Sequence, residues 1–169
     1  MKGRFQDALS LTELLVTLAI FSAGLAIAVP AYSTLKLQSQ HNALREQLHA
    51  SLNHARLQAV LRRTNVRLCG SADGLTCDNN WSRGWRIYLP GKTEQTLQIQ
   101  RFETSSTLRW SGFESSLNFY SNGTTPTGNG RFFQCRDSEI SWQLIINRQG
   151  RVRQARHAEN KAEAHRCSS

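Results

Sequence analysis

Lysine is nearly missing from this chain of 169 residues: of 21 basic residues only Lys2, Lys36, Lys92 and Lys161 are lysines, and the rest are arginine. Acidic residues number only 12, so the formal charge is +9 and the pI about 10.1. Arginine pairs bidentately with phosphate, so this bias permits a polyanionic partner without requiring one. Apolar residues make up 39%, with a mean hydropathy of −0.47. That excludes a protein with many membrane crossings and also a charge-dominated disordered chain. The length suits one ordinary domain and leaves no room for a large multidomain enzyme. No internal repeat or low-complexity tract is present. His41, His49, His54, His157 and His165 show no metal-ligand spacing. Within a helix His49 and His54 stand about 140° apart, so they do not share a metal. No nucleophile, base and orienting group come together in any known catalytic pattern. Neither an enzyme nor a metal or cofactor site is expected.

What is present is uneven. Residues 9–29, LSLTELLVTLAIFSAGLAIAV, carry a single charge, Glu13. As a helix this run spans about 32 Å, enough to cross a bilayer core. The flanking leader MKGRFQDA holds Lys2 and Arg4, and positive charge on that side predicts a cytoplasmic N-terminus. The rest of the chain is then delivered across the membrane, into a periplasm in a Gram-negative cell. A cleaved secretory signal and a plain signal anchor are competing readings, but neither accounts for Glu13. A carboxylate in an apolar span costs about 2.5–3.5 kcal/mol near the bilayer centre and normally has a partner.

A short basic leader followed by LSLTELLVTLAIFSAGLAIAVPAY resembles the class III signal of type IV pilins and pseudopilins. In that family a prepilin peptidase cuts before the apolar run and methylates the new amine, and a glutamate stands fifth in the mature chain. Matching that glutamate to Glu13 puts the cut between Ala8 and Leu9. Pro30 then falls where many type IV pilins carry a proline. Ala8 stands where glycine is usual and Leu9 where phenylalanine or methionine is usual, which implies slower cleavage. The resemblance implies an inner-membrane precursor that later joins a surface pilus beside other major and minor pilins. There Glu13 would meet the amine of a neighbouring subunit, so that a buried charge becomes a paired one.

Beyond Pro30, Leu44, Leu48, Leu52, Ala55 and Ala59 recur at steps of four, four, three and four, an amphipathic stripe suited to packing on a sheet. Arg45, Arg56, Arg62 and Arg63 lie mostly off it. Pro30 should kink or locally unwind the longer helix rather than end it, and the helix should stop near Thr64 and Asn65. From Val66 the pattern is of strands at 66–69, 85–89, 96–102, 107–110, 117–120, 131–135, 140–146 and 151–156, separated by turn residues. Residues 121–130, SNGTTPTGNG, read as the best candidate for a mobile loop. The expected organisation is a leader (1–8), a transmembrane and pilus-core helix (9–29), an amphipathic helix (30–64) and a periplasmic β-rich domain with a basic tail (65–169). This is an α+β chain, a long N-terminal helix packed on an antiparallel sheet, and the resemblance implies the type IV pilin fold. Four cysteines allow three pairings. Proximity favours Cys69 with Cys77, leaving Cys135 with Cys167, and an oxidising compartment suits both. Trp85, Trp110 and Trp142 sit within strands and read as core, while Trp81 lies in a loop and stays open.

Residues 44–69 and WSRGWRIYL (81–89) narrow the resemblance to the GspH/FimT branch of minor pilins and pseudopilins. The matching pieces are Ala55-Arg56, Ala59, Arg62 or Arg63, Val66 to Cys69, and Gly84-Trp85. At the other end, residues 148–169 hold Arg148, Arg151, Arg153, Arg156, Lys161 and Arg166 against Glu159 and Glu163. Gly150-Arg151-Val152-Arg153 follows a predicted turn, and period two sets Arg151 and Arg153 on one face. FimT-type minor pilins resemble the chain at this GRxR motif, which in them is linked to DNA binding. The resemblance implies that Arg151 and Arg153 contact phosphates of double-stranded DNA, with Arg148, Arg156 and Lys161 extending the footprint, in natural transformation. The competing reading is a solvated edge strand kept unpaired by arginine, in a structural minor pilin or a type II secretion pseudopilin that does not bind DNA.

Overall fold

Between Gly24 and Gly70 the sequence has no glycine and one proline, and helix α1 (Leu11–Arg62) fills most of that stretch. The computed structural model describes residues 11–168. The expected cleavage junction, Ala8 and Leu9, lies outside the described residues. Pro30 sits inside α1 without ending it. The helix closes where Arg63 turns left-handed at φ +52° and Thr64 N–H donates to the Ala59 carbonyl.

The contacts divide the chain into two units, at Asn42 and Ala43. In the first, α1 is long and apolar enough to cross a membrane. Its apolar side chains, among them Leu14, Val16, Phe21 and Ile27, are exposed. Thr17 and Ser22 donate their hydroxyl protons to the Leu14 and Ala19 carbonyls, which satisfies two polar groups within the helix itself. Glu13 lies in the first described turn and is exposed.

In the second unit the stripe Leu44, Leu48, Leu52, Ala55 and Ala59 is buried, as its spacing predicts. It shares one core with side chains of two sheets. Eight strands follow: β1 (Val66–Gly70), β2 (Gly84–Leu89), β3 (Gln95–Arg101), β4 (Leu108–Gly112), β5 (Ser116–Phe119), β6 (Gly130–Arg136), β7 (Glu139–Ile146) and β8 (Val152–Gln154). They form not one sheet, as expected, but two antiparallel four-stranded sheets ordered β3-β2-β1-β5 and β4-β6-β7-β8. The division arises because β5 returns to β1, Val66 opposite Phe119, while β4 pairs with β6. Trp85 and Trp142 are core, and Trp110 is half-buried. Trp81 is buried too, edge-on to Phe132 at 4.6 Å.

The last strand is shorter than the expected 151–156. After Gln154 the chain turns into helix α2 (His157–Ala162) and a 3-10 turn (Ala164–Cys167) in place of a plain basic tail. Two buried amides dock α2 on β7: Gln143 Nε2 donates to Asn160 Oδ1 at 3.1 Å, and Asn160 Nδ2 donates to the Ser141 carbonyl at 3.5 Å. The Cys135–Cys167 disulfide, Cα to Cα 5.7 Å, ties the end of the chain to β6. A second disulfide, Cys69–Cys77, closes the loop after β1. Bridges of this kind typically contribute about 2–4 kcal/mol.

Candidate functional site

The turn after β7 is built from its own backbone. Gly150 N–H donates to the Asn147 carbonyl at 2.9 Å, Asn147 N–H to the Arg151 carbonyl at 3.1 Å, and Arg151 N–H to Asn147 Oδ1 at 3.0 Å. Gly150 has φ +72°, a conformation other residues rarely adopt. A Cβ there would also lie 2.2 Å from the Gly123 carbonyl oxygen. Gly123 itself has φ +75° and lies beside Val60 and Arg56 of α1. A side chain at Gly150 would thus run into the Gly123 backbone, and together with the positive φ this accounts for the glycine in GRxR.

The loop expected at 121–130 is anchored in its first half. Tyr120 N–H donates to the Thr124 carbonyl, Thr125 N–H to the Arg148 carbonyl at 2.9 Å, and Arg56 Nε to the Gly123 carbonyl at 2.9 Å. Gly123, Thr125 and Gly128 are buried. Gly123, at φ +75°, lets this segment pass close to Arg56 and Val60 of α1 and to Gly150 of the turn.

Arg148, Arg151, Arg156 and Lys161 are exposed, and no ion pair among the described residues uses them. Arg153 behaves differently. Its Nη1 and Nη2 donate to the two oxygens of Glu159 at 2.9 and 2.7 Å, a fork-to-fork pair. Glu159 also accepts the Arg156 backbone N–H at 2.7 Å and so caps the start of α2. The Arg153 hydrogen bonds, helped by the Arg156 N–H, hold the Glu159 carboxyl down at about 2, and the same pair raises Arg153 further above its usual range. Farther on, Glu163 takes both Arg131, at 2.9 Å, and Arg166. Hydrogen bonding from Arg166 first, against the cost of burial and with the charge of Arg131, lowers its carboxyl.

The candidate residues thus divide. Arg148, Gly150 and Arg151 share one rigid turn. Arg153 belongs to the α2 junction and is already matched by a carboxylate, while Arg151 lies one residue before the strand. The sequence reading missed two partners of this region, Arg56 and Glu159. In the sequence Arg56 stands off the apolar stripe and within the helix end that carries the family resemblance, with nothing to link it to the turn. Glu159 was visible only as one of two acids in a basic tail.

The described residues contain no cluster of His, Cys, Asp and Glu able to hold a metal. The family of the type II transport protein GspH matches residues 45–150, the segment from mid-α1 to Gly150. Among solved structures, the type IV minor pilin FimU of Pseudomonas aeruginosa is similar in two crystal forms. Both are 24% identical to this chain and cover 67% of it. One has a TM-score of 0.53 with 86% of FimU covered, the other 0.51 with 90% covered. No curated protein matches the sequence. A long helix leading into antiparallel sheets gives this α+β chain the type IV pilin fold, and the match over residues 45–150 shows that it belongs to the GspH family.

Proposed function

We propose that the chain is a FimT-type minor pilin that binds double-stranded DNA without sequence preference, for DNA uptake in natural transformation. In this reading the peptidase cuts between Ala8 and Leu9, and the apolar helix holds the precursor in the inner membrane with its domain in the periplasm. Glu13 then pairs with the terminal amine of a neighbouring pilin during assembly. The work is assembly and binding, not catalysis. One observation carries the DNA reading: Arg148 and Arg151 stand exposed and unmatched by carboxylate on a turn that hydrogen bonds hold rigid. Phosphate contacts from such groups position a duplex but read no bases. Arg156 and Lys161 extend the surface, and Arg153 joins it only by leaving Glu159.

The test is fluorescence anisotropy of a labelled duplex with the full chain in non-ionic detergent. With about two to four phosphates neutralised, log affinity should fall against log salt with a slope of about −2 to −4. Arg151→Ala should weaken binding roughly five- to tenfold, while Arg153→Ala should weaken it less, because its charge is already paired. A second reading, a structural subunit of a pilus or type II secretion pseudopilus, is favoured by the extent to which the tail arginines are neutralised internally. Absence of binding at low salt would leave that second reading in place.

A further inference from the structure

Arg56 is held at one end and open at the other. Its Nε donates to the Gly123 carbonyl, and the same nitrogen would lie 3.3 Å from a Cβ on Gly150, so the side chain lies against both glycines. A guanidinium carries five N–H donors, and this contact uses one. The terminal nitrogens have no protein partner among the described residues, and neither is among the buried unsatisfied atoms. Four charged donors are therefore left without a protein partner on a half-buried side chain pinned at its Nε. The same stretch of chain supports the turn that carries Arg148 and Arg151, through Gly123 against Gly150 and Thr125 N–H on the Arg148 carbonyl.

A freely rotating surface arginine loses rotamer entropy when it fixes a phosphate. Arg56 has already been ordered by folding. We infer that Arg56 is a phosphate-binding residue of this surface, an anchored guanidinium whose free edge takes a backbone phosphate next to those held by Arg148 and Arg151. The duplex then lies across the turn and the last turns of α1, rather than along α2. This rests on the DNA-binding reading above and extends it to a helix residue outside the GRxR motif.

The test is Arg56→Gln in the full chain in detergent. The amide Nε2 of glutamine occupies the position of the arginine Nε, so the hydrogen bond to Gly123 is kept while the charge and the free edge go. Duplex affinity should fall about three- to tenfold and the salt slope should lose about 0.9, one phosphate contact, with the melting temperature unchanged. Arg45→Gln, which removes a charge from the same helix where Arg45 is paired with Glu46, is the control and should do little. If Arg56→Gln binds like the unsubstituted chain, or no worse than Arg45→Gln, while Arg151→Ala weakens binding, this inference is overturned and the DNA reading survives. If the unsubstituted chain does not bind, both are overturned. Where the glutamine variant melts early, the Nε–Hε resonance of Arg56 in the unsubstituted chain decides: a shift on adding duplex supports the contact, and an unmoved resonance overturns it.

Discussion

In the turn from Asn147 to Arg151, Arg148 and Arg151 are exposed and make no ion pair among the described residues, while a few residues later Arg153 and Arg166 are closed onto Glu159 and Glu163. The two stretches are neighbours in sequence and both carry several basic residues, but the acids Glu159 and Glu163 lie only in the second. The turn gets its order from backbone hydrogen bonds and from two glycines in contact, and so leaves its side-chain charge unused. The α2 segment has little apolar surface of its own. It is ordered instead by ion pairs, by the Gln143–Asn160 amide contact and by the Cys135–Cys167 bridge, so much of its charge is consumed in holding itself down. The GspH match ends at Gly150, within the turn and one residue short of Arg151. A count of basic residues overstates the positive charge available to a partner, and how each segment is folded determines the excess.

The hardest test of that contrast is Gly150→Ala. The substitution puts an alanine at φ +72° and a methyl 2.2 Å from the Gly123 oxygen, with strain of about 1–3 kcal/mol from the backbone alone. Melting should fall by about 5–10 °C, since about 1 kcal/mol moves a domain of this size by roughly 2–4 °C. Duplex binding should fall with it as the turn loses its shape. Lys161→Ala in the tail, exposed and unpaired, should stay within about 0.5 kcal/mol of the unsubstituted chain. Equal melting for the two variants would remove the distinction between a rigid turn and a separately ordered tail. A smaller effect is expected at Glu159→Gln, which releases Arg153. Affinity for duplex should rise about two- to fivefold and the salt slope should steepen by up to 0.9. Unchanged binding would mean that Arg153 is as available in solution as Arg151.

Local periodicity fixes local elements, and here it did so well. Each of the eight strands lies within about two residues of its expected start because alternation and turn residues bracket it, the last one excepted at its far end, and the stripe from Leu44 to Ala59 is buried as spaced. Pairing between elements was not legible. Nothing in residues 116–119 says that they return to β1 instead of extending the sheet of β4, because alternation specifies a face and not a neighbour. Residues 121–130 looked loose because the bonds that hold them, to Arg56 and Arg148, come from distant parts of the chain. Helix α2 was missed because HAENKA has no apolar stripe; its buried residue is a polar one, Asn160. Arg151 and Arg153 looked equivalent by spacing, and only the turn into α2 brings Glu159 to one and not the other.

Acid should erase the difference between the paired and unpaired arginines, and the direction follows from Glu159. Its carboxyl is held at about 2 in the folded chain against an ordinary 4.5. A carboxyl depressed by folding stabilises the fold fully above its unfolded value, and that contribution fades as pH falls from there through the folded one. The unsubstituted chain should therefore melt above Glu159→Gln at neutral pH, and the gap should narrow below about pH 4.5 and close near pH 2. The pair is largely solvent-exposed, so the gap should be small. Melting curves of both proteins across that range provide the check, and a gap that persists at pH 2 would assign the stability of α2 to the amide contact and the disulfide instead of to the ion pair.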